Sequence, residues 1–99
     1  MTAIKIRSSV PTAAIGVRWV VEARGIRVID ELARCTQVLQ YPEAGVWELL
    51  MRGHSLQQTS SMISHIAALS SEQADALVEQ CVGAWRKAGW LAECDDNRP

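Results

Sequence analysis

Hydrophobic and polar residues follow two different periods along this chain, and the change falls near residue 42. Val17, Trp19 and Val21 alternate with Arg18, Val20 and Glu22, a period of two built from β-favouring residues. Ala23-Arg24-Gly25 supplies a turn, and Ile26-Arg27-Val28-Ile29-Asp30 reads as the returning strand. After a looser stretch at residues 33–36, Gln37-Val38-Leu39-Gln40 is a third, short strand. Upstream, Ile4 and Ile6 alternate weakly, and proline and glycine punctuate residues 10–16 at both ends. Residues 1–16 therefore read as an irregular lead-in.

From Pro42 the period becomes helical. Proline suits a first turn, where its missing N–H costs nothing, and Val46, Trp47 and Leu50 then share one face. Arg52-Gly53 ends this helix, with the glycine placed for a left-handed cap. Ser55-Leu-Gln-Gln58 is a capping-box pattern opening a second helix, with Leu56, Thr59, Met62, Ile63 and Ile66 expected inward. Ser70-Ser-Glu-Gln73 is another, opening a third helix. Its stripe of Ala74, Leu77, Val78, Cys81, Val82, Trp85 and Ala88 keeps helical spacing throughout. Glu72 and Asp75 suit the positive end of that helix, and Arg86 and Lys87 the negative end. Gly89 stands at its stop with Trp90 next, while Gly83 inside it costs roughly 1 kcal/mol relative to alanine.

This order implies an α+β, winged-helix-like domain: a three-stranded antiparallel sheet followed by a three-helix bundle. The domain is expected over residues 17–91, with a polar tail at 92–99. A 99-residue chain that is 48% hydrophobic is one domain's worth, with enough apolar residues for a core. No apolar run approaches a membrane span, and the N-terminus lacks the h-region of a signal peptide, so the expected location is cytoplasmic.

Charge changes the picture more than composition does. The formal net charge is −1. Yet Lys5, Arg7, Arg18, Arg24 and Arg27 crowd the first segment, while Glu43, Glu48, Glu72, Asp75 and Glu79 dominate the helical half. Cys35, Cys81 and Cys94 form no CxxC and fit reduced thiols, and His54 and His65 lack ligand neighbours, so no metal or other cofactor is expected. No Ser-His-carboxylate set and no glycine-rich phosphate loop is present, which argues against an enzyme.

Several of these residues carry a family likeness. Val10-Pro11 with Gly16-Val17-Arg18, the strand through Val28-Ile29, Val38-Leu39, and Ala44 with Val46-Trp47-Glu48-Leu49-Leu50 resemble the PqqD-like family. So do Ala74, Val78, Val82 and Trp85, and the closing Ala88-Gly89-Trp90-Leu91. The resemblance covers residues 10–91 and rests on pattern rather than on one diagnostic motif. Gln40 and Pro42 depart from the family's Asn and Ser or Thr, and Cys81 replaces a bulkier apolar residue.

The resemblance implies a peptide-binding winged-helix domain, a recognition element for ribosomally made, modified peptides. Such domains hold the leader segment of a precursor peptide as an added strand and present it to a modifying enzyme, frequently a radical S-adenosylmethionine enzyme. On that basis the peptide site is expected at Gln37, Val38, Leu39 and Gln40 of the third strand and Leu77, Cys81, Ala84 and Trp85 of the third helix. The side chains of Val38 and Gln40 are placed in the groove with those of the helix. The alternatives are winged-helix DNA binding and a plain interaction or homodimerisation module using Trp19, Trp47, Trp85 and Trp90. DNA binding needs cations against the phosphates, and the third helix opens with acids while the second has no lysine or arginine.

Overall fold

The computed structural model describes residues 10–94. Its larger sheet has three antiparallel strands, β2 (Val17–Glu22), β3 (Gly25–Asp30) and β4 (Cys35–Gln40), in the order β2-β3-β4. The meander read from the sequence is present. Glu22 faces Gly25 across a tight turn, and Gly25 is required there because a Cβ would collide with the Leu39 carbonyl of β4. Asp30 faces Cys35 at the other hairpin, where the buried Asp30 carboxylate accepts a hydrogen bond from the Ala33 amide at 3.1 Å.

The helices are α1 (Glu43–Met51), α2 (Leu56–Ile66) and α3 (Ser71–Lys87). Both capping boxes form: Ser55 and Ser70 accept from the Gln58 and Gln73 amides, and each glutamine side chain returns to its cap's own N–H. α1 has no side-chain cap, and Pro42 itself occupies the cap position. At the other ends, Gly53 and Gly89 take φ of 96° and 81°. The amides that follow them, on His54 and Trp90, reach back to the Leu49 and Trp85 carbonyls. α2 closes in the same way through Ala68 at φ 55°, a left-handed conformation that costs a residue with a Cβ roughly 1–2 kcal/mol. Gly83 is exposed with open space around it, so it serves no close approach.

One element lies outside the expected plan. Residues 10–16 and the tail from residue 92 read as irregular, but β1 (Val10–Ala13) and β5 (Leu91–Cys94) pair antiparallel, Val10 facing Cys94 and Ala13 facing Leu91. The Ala14 amide then donates to the Trp90 carbonyl at 2.8 Å. Pro11 is compatible with this small ribbon because a strand in a two-stranded sheet has one side where no amide is needed. Pairing across the whole length of the chain leaves no local pattern to read. The expectations for residues 1–9 and 95–99 lie outside the described residues.

The core sits between the helical layer and one face of the large sheet. Its centre is Trp47, fully buried on α1. Trp19, Trp85 and Trp90 meet it edge-on, with centroids at 6.0, 5.1 and 6.1 Å. Edge-to-face contact sets the positive ring edge of one indole against the negative face of the next. The tryptophans are therefore core residues first, and only Trp19 is partly exposed. Among the α2 positions expected inward, Leu56, Thr59 and Ile63 are buried, but Ile66 is 71% exposed. Ser60 is buried in its place, held by a hydrogen bond to Asp75 of α3.

Candidate functional site

Strand register fixes which β4 side chains face the helices. Ile26, buried on β3, faces Leu39, and Val28 faces Gln37, so Cys35, Gln37 and Leu39 share the helix-facing side of β4. Thr36, Val38 and Gln40 point to the opposite face. The family resemblance places Val38 and Gln40 in a groove with α3, whereas the register turns their side chains to the other face of the sheet. A one-residue offset in a strand moves a side chain to the other face, and Leu39, the apolar residue with a buried partner, sets the phase here.

On α3, Cys81 and Trp85 are buried in the core cluster, Leu77 is half-buried against it, and Ala84 is exposed. Leu39 is also buried. These buried residues can form the floor of a site but offer little surface of their own. Gln37, Leu77 and Ala84 retain accessible surface. β4 ends an edge of the sheet, with no further strand beside it among the described residues. α1 packs against both β4 and α3, whereas β4 and α3 scarcely meet each other.

Cys81 reports on this junction. Burial pushes its thiol up from the usual 9.0 to about 11, and the Glu43 carboxylate at the start of α1 adds to the shift. The middle of α3 thus senses the carboxylate in the first turn of α1. The folded chain holds the Cys81 proton more tightly than the unfolded chain between pH 9.0 and about 11. This contribution to stability is complete below pH 9 and is lost as pH rises through about 11. Thermal melts across this range are expected to fall less steeply for Cys81→Ala than for the parent. Parallel slopes would show that the thiol is not perturbed by the fold. Alkylation at pH 8 should likewise modify exposed Cys35 well before Cys81.

Other concavities lie among the described residues. An apolar groove of about 790 Å³ runs between α1 and α2, with Tyr41, Leu49, Met62, Ile66 and Leu69 among its walls. Gly45 lines it too, and a Cβ there would come within 3.3 Å of Ile63, so the glycine lets the two helices approach. Sequence periodicity missed this groove because α1 is apolar around most of its circumference and gives no outward-facing signal. A polar cleft between α2 and α3 is lined by Gln57, Ser61, Ser64, His65 and Asp75 among others. No lysine or arginine lines it. Among the described residues no group of three or more His, Cys, Asp or Glu side chains could hold a metal ion. No helix among them is long and apolar enough to cross a membrane.

No family model matches the chain, and no curated protein matches it. A solved structure does, that of a lasso peptide synthetase B1 complexed with the leader peptide. The TM-score is 0.77 over 84% of this chain and 98% of that one, at 13% sequence identity. The two chains share a fold. That fold is the α+β arrangement of a three-stranded antiparallel sheet followed by three helices, in agreement with the architecture implied by the PqqD-like resemblance.

Proposed function

We propose that this protein is a non-catalytic peptide-binding domain that captures the leader segment of a precursor peptide and presents it to a modifying enzyme. The observation that carries this reading is the fold shared with a synthetase B1 solved with a leader peptide, matched over 98% of that chain. Chemistry at the β4 edge supports it. Strand addition needs unpaired backbone N–H and C=O groups beside pockets for alternate side chains. β4 offers the former, and the half-buried Leu77 and accessible Ala84 of α3, with Cys81 and Trp85 beneath them, fit the latter. In this reading Gln37 and Leu39 face the peptide's inward side chains, while Val38 and Gln40 contribute backbone rather than groove-facing side chains.

By the family resemblance the modifying enzyme is of the radical S-adenosylmethionine type; the fold match names a peptide-bound protein and no further enzyme. A titration of the isotope-labelled domain with the precursor peptide encoded beside its gene tests the capture step. Shifts concentrated on residues 36–41 and on the 77–85 face of α3 are expected. No shifts, or shifts scattered over the surface, would overturn the reading. Adding a radical S-adenosylmethionine enzyme to the preformed complex then tests whether it is recruited.

A further inference from the structure

The sheet has a second edge, and its chemistry differs from that of β4. β4 shows mostly polar side chains, Thr36, Gln37 and Gln40, along its length. β2 shows Trp19, Val20 and Val21 in succession, and the two valines are 50% and 59% exposed on opposite faces. Its register against β3 runs without a bulge from Val17 to Glu22, and β2 contains no proline or lysine. Among the described residues no other strand pairs with its outer side. A regular edge whose centre is apolar, with charges of opposite sign only towards its two ends, is a template for another strand.

We propose that this edge pairs with β2 of a second copy of the chain, antiparallel about a two-fold axis through Val20. The sequence of β2 is self-complementary in that register. Val20 faces Val20 of the second copy, Trp19 faces its Val21, and Arg18 faces its Glu22. The Val20 pair lies on the axis and the other two contacts each occur twice, as an isologous interface requires. Arg18, Val20 and Glu22 lie on the face turned away from the helices, so the charge pairs bracket an apolar centre. Trp19 and Val21 lie on the helix-facing side, which the helical layer leaves partly uncovered at this edge.

The charged groups already have partners but keep capacity for another. Arg18 reaches Glu31 through one nitrogen at 2.9 Å. Glu22 accepts from Arg27 at 2.7 and 3.3 Å, and its oxygens retain lone pairs. All four side chains are more than a third exposed, so a second copy can join them into a network. The result is a six-stranded sheet with β4 at both ends, which leaves both copies of the other edge free. Such a dimer can form whatever β4 binds.

Pairing of one edge strand buries a small area, so association should be weak and concentration-dependent. Sedimentation of the parent is expected to move from monomer towards dimer as concentration approaches roughly 1 mM. A parent that stays monomeric to that concentration overturns the proposal. Arg18→Glu alone sets like charges opposite each other, as does Glu22→Arg alone, and each is expected to stay monomeric. Mixing the two restores charge complementarity, so the mixture should dimerise while neither component does. Dimerisation of either variant alone at the parental level would overturn the register. In the parent, amide protection on β2 is expected to grow with concentration while that on β4 stays constant. Protection that grows on β4 instead would place the interface at the wrong edge and overturn the proposal without any substitution.

Discussion

Trp47→Ala is expected to remove about 3–5 kcal/mol of stability, the range for emptying a large aromatic site in a packed core. A domain of this size has about 5–15 kcal/mol in total, so the variant should unfold at much lower denaturant or not fold at all. Position sets the size of the effect. Trp47 is fully buried, and three other tryptophans reach it edge-on from β2, from α3 and from the residue that leads into β5. Its loss therefore loosens both sheets and the helical layer together. Trp47→Phe should cost less, because the indole Nε1–H has no hydrogen-bond partner among the described residues and the smaller ring leaves less space empty. Urea titration followed by far-ultraviolet circular dichroism measures both. A Trp47→Ala midpoint within the error of the parent would show that the cluster is not the centre of the core.

Proline at two adjacent β4 positions should separate peptide capture from folding. In an antiparallel strand, successive residues direct their N–H and C=O groups to opposite sides. Of Gln37 and Val38, therefore, one amide points to β3 and the other to the open edge. Proline at the first kind of position removes a ladder bond and leaves a β3 carbonyl without its donor, and about 1–3 kcal/mol of destabilisation is expected. Proline at the second kind leaves the β3 ladder intact but removes a docking amide and puts a ring in the path of an added strand. That variant should keep its melting temperature within a few degrees and lose leader-peptide affinity by about 10- to 100-fold, which is 1.4 to 2.8 kcal/mol. Calorimetric titration of Gln37→Pro and Val38→Pro provides the comparison. Full affinity in the better-folded variant would remove strand addition at β4 from consideration.

Much of the fold is legible from the residues themselves. The β2–β3–β4 meander follows from alternation and from Gly25 at the turn, and the ends of α2 and α3 follow from Ser55, Gln58, Ser70, Gln73 and Gly89. Each signal lies within a few positions of the structure it specifies. The candidate site is legible only in outline. β4 and the middle of α3 are proposed through the family resemblance, and a period-two pattern with one strong apolar residue does not fix which neighbours share its face. Val38 looks as suitable as Leu39 until Ile26 is seen opposite Leu39. In the same way, Ile66 continues the α2 stripe by spacing, but it is exposed on the wall of the groove between α1 and α2.

What the sequence determined by itself is therefore local: the periods, the caps, the turns, and the acidic start of α3 that discourages phosphate contact. Tertiary structure decided the rest. It paired β1 with β5 across almost the whole chain, gathered four tryptophans into one cluster centred on Trp47, and left β2 and β4 as the two open edges of one sheet. The physical reason is range. Hydrogen-bond caps and side-chain periodicity act over a few residues, whereas edges, grooves and burial depend on which distant segments pack together, and no short window of residues contains that information.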